Sequence, residues 1–404
     1  MSNLVKSVMR NKKLANLVAI RKPDTFISST IPAIDILFSG RINNSGIKKG
    51  AISEIAADST MGKSIIGLHF LAEAFRLGMD CFVIDTERAF DFKIAKALGI
   101  NMDEVGLFDA QIISDLKEIF TNIAKDVEKK DRENVFILLD SWGDLVSTQV
   151  MAKAEDGSST VDMGSTSKFK NELANIMHAC GFTVLVINHT YASLQMYGDP
   201  KNIPGGSKLY FNSDAIVLVN SAAKVKDDET KTVLGKICNA VIKKGREAVE
   251  NSKVKYRIMV DRGVDRWFGL LDDLLESGVV SKDKPGSYYR VDIDLDKTTG
   301  EITKTFKEEE TYTEEFVKPL LNDTKFIDFI KGKYNYHNDI DALARDVVKA
   351  EPTAEDEDIA EEAEKAERAA RKARREARKA ESEAPATPEP EGEMEPEGEM
   401  EQEN

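Results

Sequence analysis

Ala57-Asp58-Ser59-Thr60-Met61-Gly62-Lys63-Ser64 stands between an apolar run, Ala51-Ile52-Ser53-Glu54-Ile55-Ala56, and the amphipathic Ile65-Ile66-Gly67-Leu68-His69-Phe70-Leu71-Ala72-Glu73-Ala74-Phe75. A strand, a tight loop closing on Gly-Lys-Ser and a helix is the layout of a phosphate-binding P-loop. Backbone N–H groups from Ala57 to Ile65, with the helix N-terminus behind them, would cradle a polyphosphate. Lys63 would reach the β- and γ-phosphates, and the Ser64 hydroxyl would ligate Mg²⁺. The first loop position, ordinarily glycine, is Ala57, so the opening residue is expected to resist a positive φ.

Outward from this stretch, β-type runs alternate with helical ones from about residue 28 to 275. The runs are 51–56, 80–85, 134–140, 182–188, 214–220, 234–243 and 254–261. Val135-Phe136-Ile137-Leu138-Leu139 and Thr183-Val184-Leu185-Val186-Ile187 are almost continuously apolar, as strands buried on both faces are. The alternation predicts a doubly wound α/β core, its mostly parallel sheet flanked by helices. Residues 4–20 predict a short basic helix ending near Arg21-Lys22-Pro23, an arm of about 1–27. Residues 276–350 read as a small α+β lobe with a strand pair around Tyr288-Tyr289-Arg290-Val291-Asp292.

The net charge of −15 is unevenly spread. Twenty acidic and eight basic residues lie beyond residue 350, a net of −12, which leaves only −3 on the first 350. A near-neutral body can carry a basic groove, so DNA is not excluded. The tail, 351–404, is acidic, low in complexity and free of aromatics, a composition expected to remain disordered. Cys81, Cys180 and Cys238 lie far apart in apolar surroundings, as buried free thiols of a reducing compartment do. No stretch approaches a membrane span and the N-terminus does not resemble a signal peptide, which together imply a cytoplasmic protein.

Three further segments carry chemistry. Phe82-Val83-Ile84-Asp85-Thr86-Glu87 ends a strand at the edge where open α/β sheets bind ligands. Glu87 reads either as a general base facing a γ-phosphate or as a solvated loop glutamate. Leu138-Leu139-Asp140-Ser141 has the Walker B pattern, and Asp140 reads either as holding the Mg²⁺ shell with Ser64 or as a cap on the following turn. Val186-Ile187-Asn188-His189-Thr190 ends a fourth strand with polar groups able to sense a γ-phosphate. Two long connections, about 147–167 and 190–207, leave the sheet on that side without clear periodicity, and length of this kind marks functional or disordered loops. At Lys243-Lys244-Gly245-Arg246, the cations read either as a solvated face or as neutralising a transferred phosphoryl group, in the same or a neighbouring subunit.

In order, these motifs resemble those of the RecA-type DNA recombinases, and within them the T4-like phage branch, the UvsX recombinases. The resemblance covers roughly residues 28–300. Ile31-Pro32-Ala33-Ile34-Asp35-Ile36-Leu37-Phe38-Ser39-Gly40 is similar to the segment before the P-loop strand. Ile84-Asp85-Thr86-Glu87-Arg88-Ala89-Phe90-Asp91 is similar to the block with the catalytic glutamate, here Glu87. Asn188-His189-Thr190-Tyr191 looks like the phage form, with His189 in place of a glutamine sensor. The two long connections match the DNA-binding loops in position, with Met163 and Gly164 in the first and Leu194, Tyr197, Gly205 and Gly206 in the second. Lys244 and Arg246 have the spacing of a cationic pair that reaches a neighbour's ATP. Ala57 and Ile94 depart from the pattern, the latter standing where many relatives carry an adenine-stacking tyrosine.

The resemblance implies a RecA-like P-loop ATPase using ATP and Mg²⁺. It would polymerise as a helical filament on single-stranded DNA and exchange strands with homologous duplex DNA. A recombination mediator and a single-strand-binding protein are the further partners implied, and a phage origin would place it in the host cytoplasm. Two other readings stay open on sequence: a ring helicase on the same core, and an ATP-gated scaffold that coats DNA without exchanging strands.

Overall fold

The computed structural model describes residues 24–155, 163–192, 201–203, 206–295 and 302–336. The expected N-terminal helix, residues Leu194, Tyr197 and Gly205, and the acidic tail lie outside the described residues. A short pair, β1 (Phe26–Ile27) with β2 (Ile47–Lys48), flanks helix α1 (Pro32–Ser39). Strand and helix then alternate through β3 (Ile52–Ala57), α2 (Lys63–Arg76), β4 (Asp80–Asp85), α3 (Phe92–Ala97), β5 (Gly106–Asp109) and α4 (Ile113–Asp126). After β6 (Val135–Asp140) come two helices, α5 (Thr148–Glu155) and α6 (Met163–Cys180), and then β7 (Thr183–His189). The small pair β8 (Tyr191–Ala192) and β9 (Lys201–Asn202) precedes α7 (Ser207–Asn212), β10 (Ser213–Lys226), β11 (Val233–Gly245), β12 (Lys253–Met259) and β13 (Gly263–Asp265). The last described stretch holds α8 (Leu271–Glu276), β14 (Val280–Lys282), β15 (Tyr288–Leu295), β16 (Ile302–Glu310), α9 (Glu314–Val317) and α10 (Thr324–Tyr334).

Nine strands form one sheet in the order β13-β12-β11-β10-β3-β7-β6-β4-β5. The six from β10 to β5 run parallel, and β11, β12 and β13 are added antiparallel. β6 and β7 are apolar along nearly their whole length because helices cover both faces. α1 and α2 pack on one side, α4 and α6 on the other. Helix α4 shows why: Ile113, Leu116, Phe120 and Ile123 fall on one stripe and are buried, each stabilising the fold by about 1.5–3 kcal/mol. The expected doubly wound core is therefore present, with the small sheet β14-β15-β16 beside it. Tyr288, Phe316, Phe326 and Tyr334 of that region share one apolar cluster with α1. Among the described residues no helix is long and apolar enough to cross a membrane, and the three cysteines are buried and unpaired.

Local readings differ from the structure in three places. The connection 147–167 is not one aperiodic loop: α5 occupies Thr148–Glu155, and Met163 and Gly164 open α6. The cause is local, since Ser147 Oγ accepts the N–H of Val150 as a cap and Gln, Met, Ala, Lys and Glu follow, all good helix formers. Strand β5 is too short to show a period and is held by pairing with β4. The expected strand pair near Tyr288 is a three-stranded sheet, because the charged, exposed residues of β16 hide its alternation.

Candidate nucleotide and metal site

The register of the parallel strands brings the chemistry to one rim. Ala57 pairs with His189, Asp85 with Asp140, and Asp140 with Ile187, all at the C-terminal ends. Ala57 is the last residue of β3 and fully buried. The left-handed conformation expected to trouble it falls instead on Thr60 (φ 65) and Gly62 (φ 78), so replacing the first glycine costs the loop no strain. Gly62 stands at φ 78, a conformation strained for any L side chain, and an added Cβ would also lie 2.2 Å from Ile258 Cδ1. The antiparallel strands brace the loop from outside: Lys236 Nζ donates to Thr60 O at 2.9 Å, and Tyr256 Oη donates to Met61 O at 2.7 Å.

Lys63 is buried, its Nζ donating to Asp58 O at 3.1 Å. Burial pulls its pKa below the usual lysine value, while Asp140, Glu87 and Asp58 oppose the shift. The Ser64 hydroxyl hydrogen-bonds Asp140, whose carboxyl is pushed up to about 6 by burial, the serine working against that rise. Asp140 Oδ1 is buried without a hydrogen-bond partner. Thr86 fixes the strand end beneath it, its N–H donating to Asp140 O at 2.8 Å and its Oγ1 accepting from Ser141 N at 2.7 Å. An orphaned carboxylate oxygen beside a hydroxyl is an oxygen donor set suited to Mg²⁺.

Glu87 and His189 meet directly, with Oε1 and Nε2 2.7 Å apart. The turn that carries Glu87 hangs from Asp85, which accepts N–H bonds from Glu87 at 3.1 Å and Phe90 at 2.9 Å. His189 is set from the other side. Asn188 Oδ1 accepts the His189 N–H at 2.9 Å, and Asn188 Nδ2 donates to the fully buried Glu54 at 2.7 Å. Burial raises the Glu54 carboxyl to about 7. The Thr190 hydroxyl donates to Asp58 Oδ1, so the sensor tripeptide is latched to the P-loop strand on both sides. A cleft of about 270 Å³ is lined by Thr60, Gly62, Lys63, Ser64, Glu87 and His189. A neighbouring one of about 250 Å³ runs from Asp140 to Phe90, Asp91 and Ile94.

Other expected residues lie elsewhere. Lys244 pairs with Ile216, level with Glu54 and away from the P-loop end of the strands. Its Nζ donates to Tyr210 O at 2.7 Å and Phe211 O at 2.9 Å. Arg246 Nε is 3.9 Å from Asp214 Oδ1. Neither meets the P-loop of its own chain. Gly206 precedes α7 with φ 82.

Asp144 and Lys170 belong to the rim although sequence patterning does not single them out. Asp144 Oδ2 accepts from the Ser141 hydroxyl and lies 3.4 Å from His189 Nε2. The signals were faint: a second carboxylate four residues after Asp140, and a lysine on an otherwise apolar helix stripe.

The comparisons with known proteins agree with this geometry. A model of the RecA N-terminal domain matches residues 14–265, and one of the C-terminal domain of the bacteriophage T4 recombination and repair protein matches residues 267–330. The recombination and repair protein of Enterobacteria phage T4 is 28% identical over 316 residues, covering 76% of this chain and 78% of that protein. The chromosomal RecA protein of Lactococcus lactis (strain IL1403) is 27% identical over 284 residues, 68% of this chain and 69% of its own. RecA of Campylobacter jejuni (strain 81-176) is 27% identical over 294 residues, 71% and 82% respectively.

Proposed function

The chain belongs to the RecA family and is a recombinase of DNA recombination and repair, and from that premise we propose that its rim is an ATP-operated switch controlling the grip on DNA. The observation that carries this is the convergence of Lys63, Ser64–Asp140 and Glu87–His189 at the ends of four neighbouring strands. Lys63 and the loop N–H groups bind the phosphates of ATP. Bound Mg²⁺, held by Ser64 and Asp140, would neutralise charge on the phosphoryl oxygens. His189 Nε2 makes one hydrogen bond at a time, so a γ-phosphate that takes it releases Glu87. The freed carboxylate then orients and deprotonates the attacking water as general base. Loss of the γ-phosphate restores the Glu87–His189 pair, an order–disorder switch of the kind phosphate-sensing loops use.

The segments around Met163–Gly164 and from Leu194 to Gly206 would bind single-stranded DNA through phosphate contacts that carry no sequence information. Lys244 and Arg246, placed away from their own P-loop, would serve the ATP of the next subunit in a head-to-tail helical filament. A groove of about 500 Å³ supports such an assembly, with Phe82, Phe108 and Ile123 on its floor and Asp115, Glu118 and Asp126 on its rim. Its apolar floor and acidic rim complement the basic amphipathic arm at residues 4–20, which would dock there from a neighbour. Strand exchange is the outcome of this cycle.

Lys63→Ala tests the switch. DNA-stimulated ATP hydrolysis should fall at least about a hundredfold, the loss expected on removing one such electrostatic group, and D-loop formation should go with it. Hydrolysis that survives the substitution overturns the reading.

A further inference from the structure

Helix α6 meets the molecule at three functional places. It begins at Met163, inside the first candidate DNA segment. At Asn171 it accepts the N–H of Lys208 on Oδ1 at 3.0 Å, at the start of α7, just after the second candidate segment. Between them Lys170 points inward.

Lys170 stands on the same stripe as Leu173, Ala174 and Met177, all buried. A lysine on an apolar stripe ordinarily costs free energy unless its ammonium is partnered. Here Nζ donates to Trp142 O at 2.9 Å and to Gly143 O at 3.1 Å. Those two carbonyls belong to the turn that follows Asp140, and the turn is the wall of the catalytic pair. A Cβ on Gly143 would lie 3.1 Å from His189 Cδ2, and Asp144, the next residue, lies 3.4 Å from His189 Nε2. Burial draws the ammonium down to about 8, with Asp144 opposing.

We propose that Lys170 is a positioning residue that ties both DNA segments, through α6, to the turn that lines His189. The proposal rests on the recombinase reading. A shift of α6 on DNA binding pulls the Trp142 and Gly143 carbonyls and resets His189 against Glu87. A methionine of similar length would fill the space but let the turn go.

The test is Lys170→Met in the full-length chain, assayed for ATP hydrolysis with and without a poly-dT oligonucleotide. The ratio of DNA-stimulated to DNA-independent rate should fall about tenfold, within the usual range of coupling between two sites. KM for ATP should change by less than about twofold, since phosphate binding is left intact. An unchanged ratio, or both rates falling in proportion, overturns the proposal. A wild-type chain that DNA does not stimulate overturns the recombinase reading instead. Should Lys170→Met fail to fold, a Trp267→Phe chain leaves Trp142 as its only indole, since the sequence has two tryptophans. Adding the oligonucleotide with a non-hydrolysable ATP analogue should then shift the emission of Trp142, and a fixed emission overturns the proposal.

Discussion

Glu54 shows how a single buried side chain sets both stability and the site. It is fully enclosed between the sheet's covering layers, and its hydrogen bond from Asn188 orients the residue that holds the His189 backbone. Burial raises its carboxyl from 4.5 to about 7. The folded chain therefore keeps a proton that the unfolded chain gives up, and stability falls as pH rises from about 4.5 to about 7, levelling above that. The loss amounts to about 3 kcal/mol at 1.36 kcal/mol per pH unit. Glu54→Gln keeps a carbonyl oxygen for Asn188 and has nothing to titrate. Urea denaturation at pH 5 and pH 8 should show a smaller pH-dependent difference in the variant than in the parent. Equal differences would mean that Glu54 is ionised throughout.

At the level of the element, the P-loop depends on strands that come almost two hundred residues later. Gly62 is held at φ 78 against Ile258 of β12. Gly62→Ala adds a left-handed penalty of about 1–2 kcal/mol and a collision with Ile258 Cδ1. Binding of a fluorescent ATP analogue should weaken at least about tenfold, the equivalent of 1.4 kcal/mol. The double variant Gly62→Ala/Ile258→Ala should regain only part of it, because trimming the isoleucine relieves the collision and leaves the backbone conformation unchanged. Full recovery would show that the backbone conformation costs nothing there.

For the whole molecule, charge is the governing quantity. The tail beyond residue 350 carries −12 of the chain's −15, and a polyanion on a tether competes with DNA for any basic groove on the same chain. Truncation after Ala350 should tighten duplex binding, most clearly at low salt, where phosphate contacts contribute most. Equal duplex affinity in a filter-binding titration with and without the tail would reduce it to a solubilising segment. Removal of residues 1–25 addresses assembly. Filaments should be lost on single-stranded DNA with ATP, and filaments that persist in negative-stain images would remove the arm from the interface.

The P-loop, the Walker B aspartate, Glu87 and His189 were all readable as residue types at fixed spacing, because each closes an apolar strand and local patterning marks strand ends. The doubly wound core was readable for the same reason, strands buried on both faces being apolar without interruption. Helix α5 is marked in the chain only by its capping serine, Ser147, and β5 not at all, because four residues show no period. Asp144, Lys170 and the bracing by Lys236, Tyr256 and Ile258 left almost no trace in the chain. Their long-range contacts span 27 to almost two hundred residues, and what makes them matter is the register that sets Ala57 beside His189 and the folding of β11 and β12 back against the loop. Spacing along a polypeptide reports short-range periodicity; contacts between distant segments arise only when the sheet has been assembled and its faces covered.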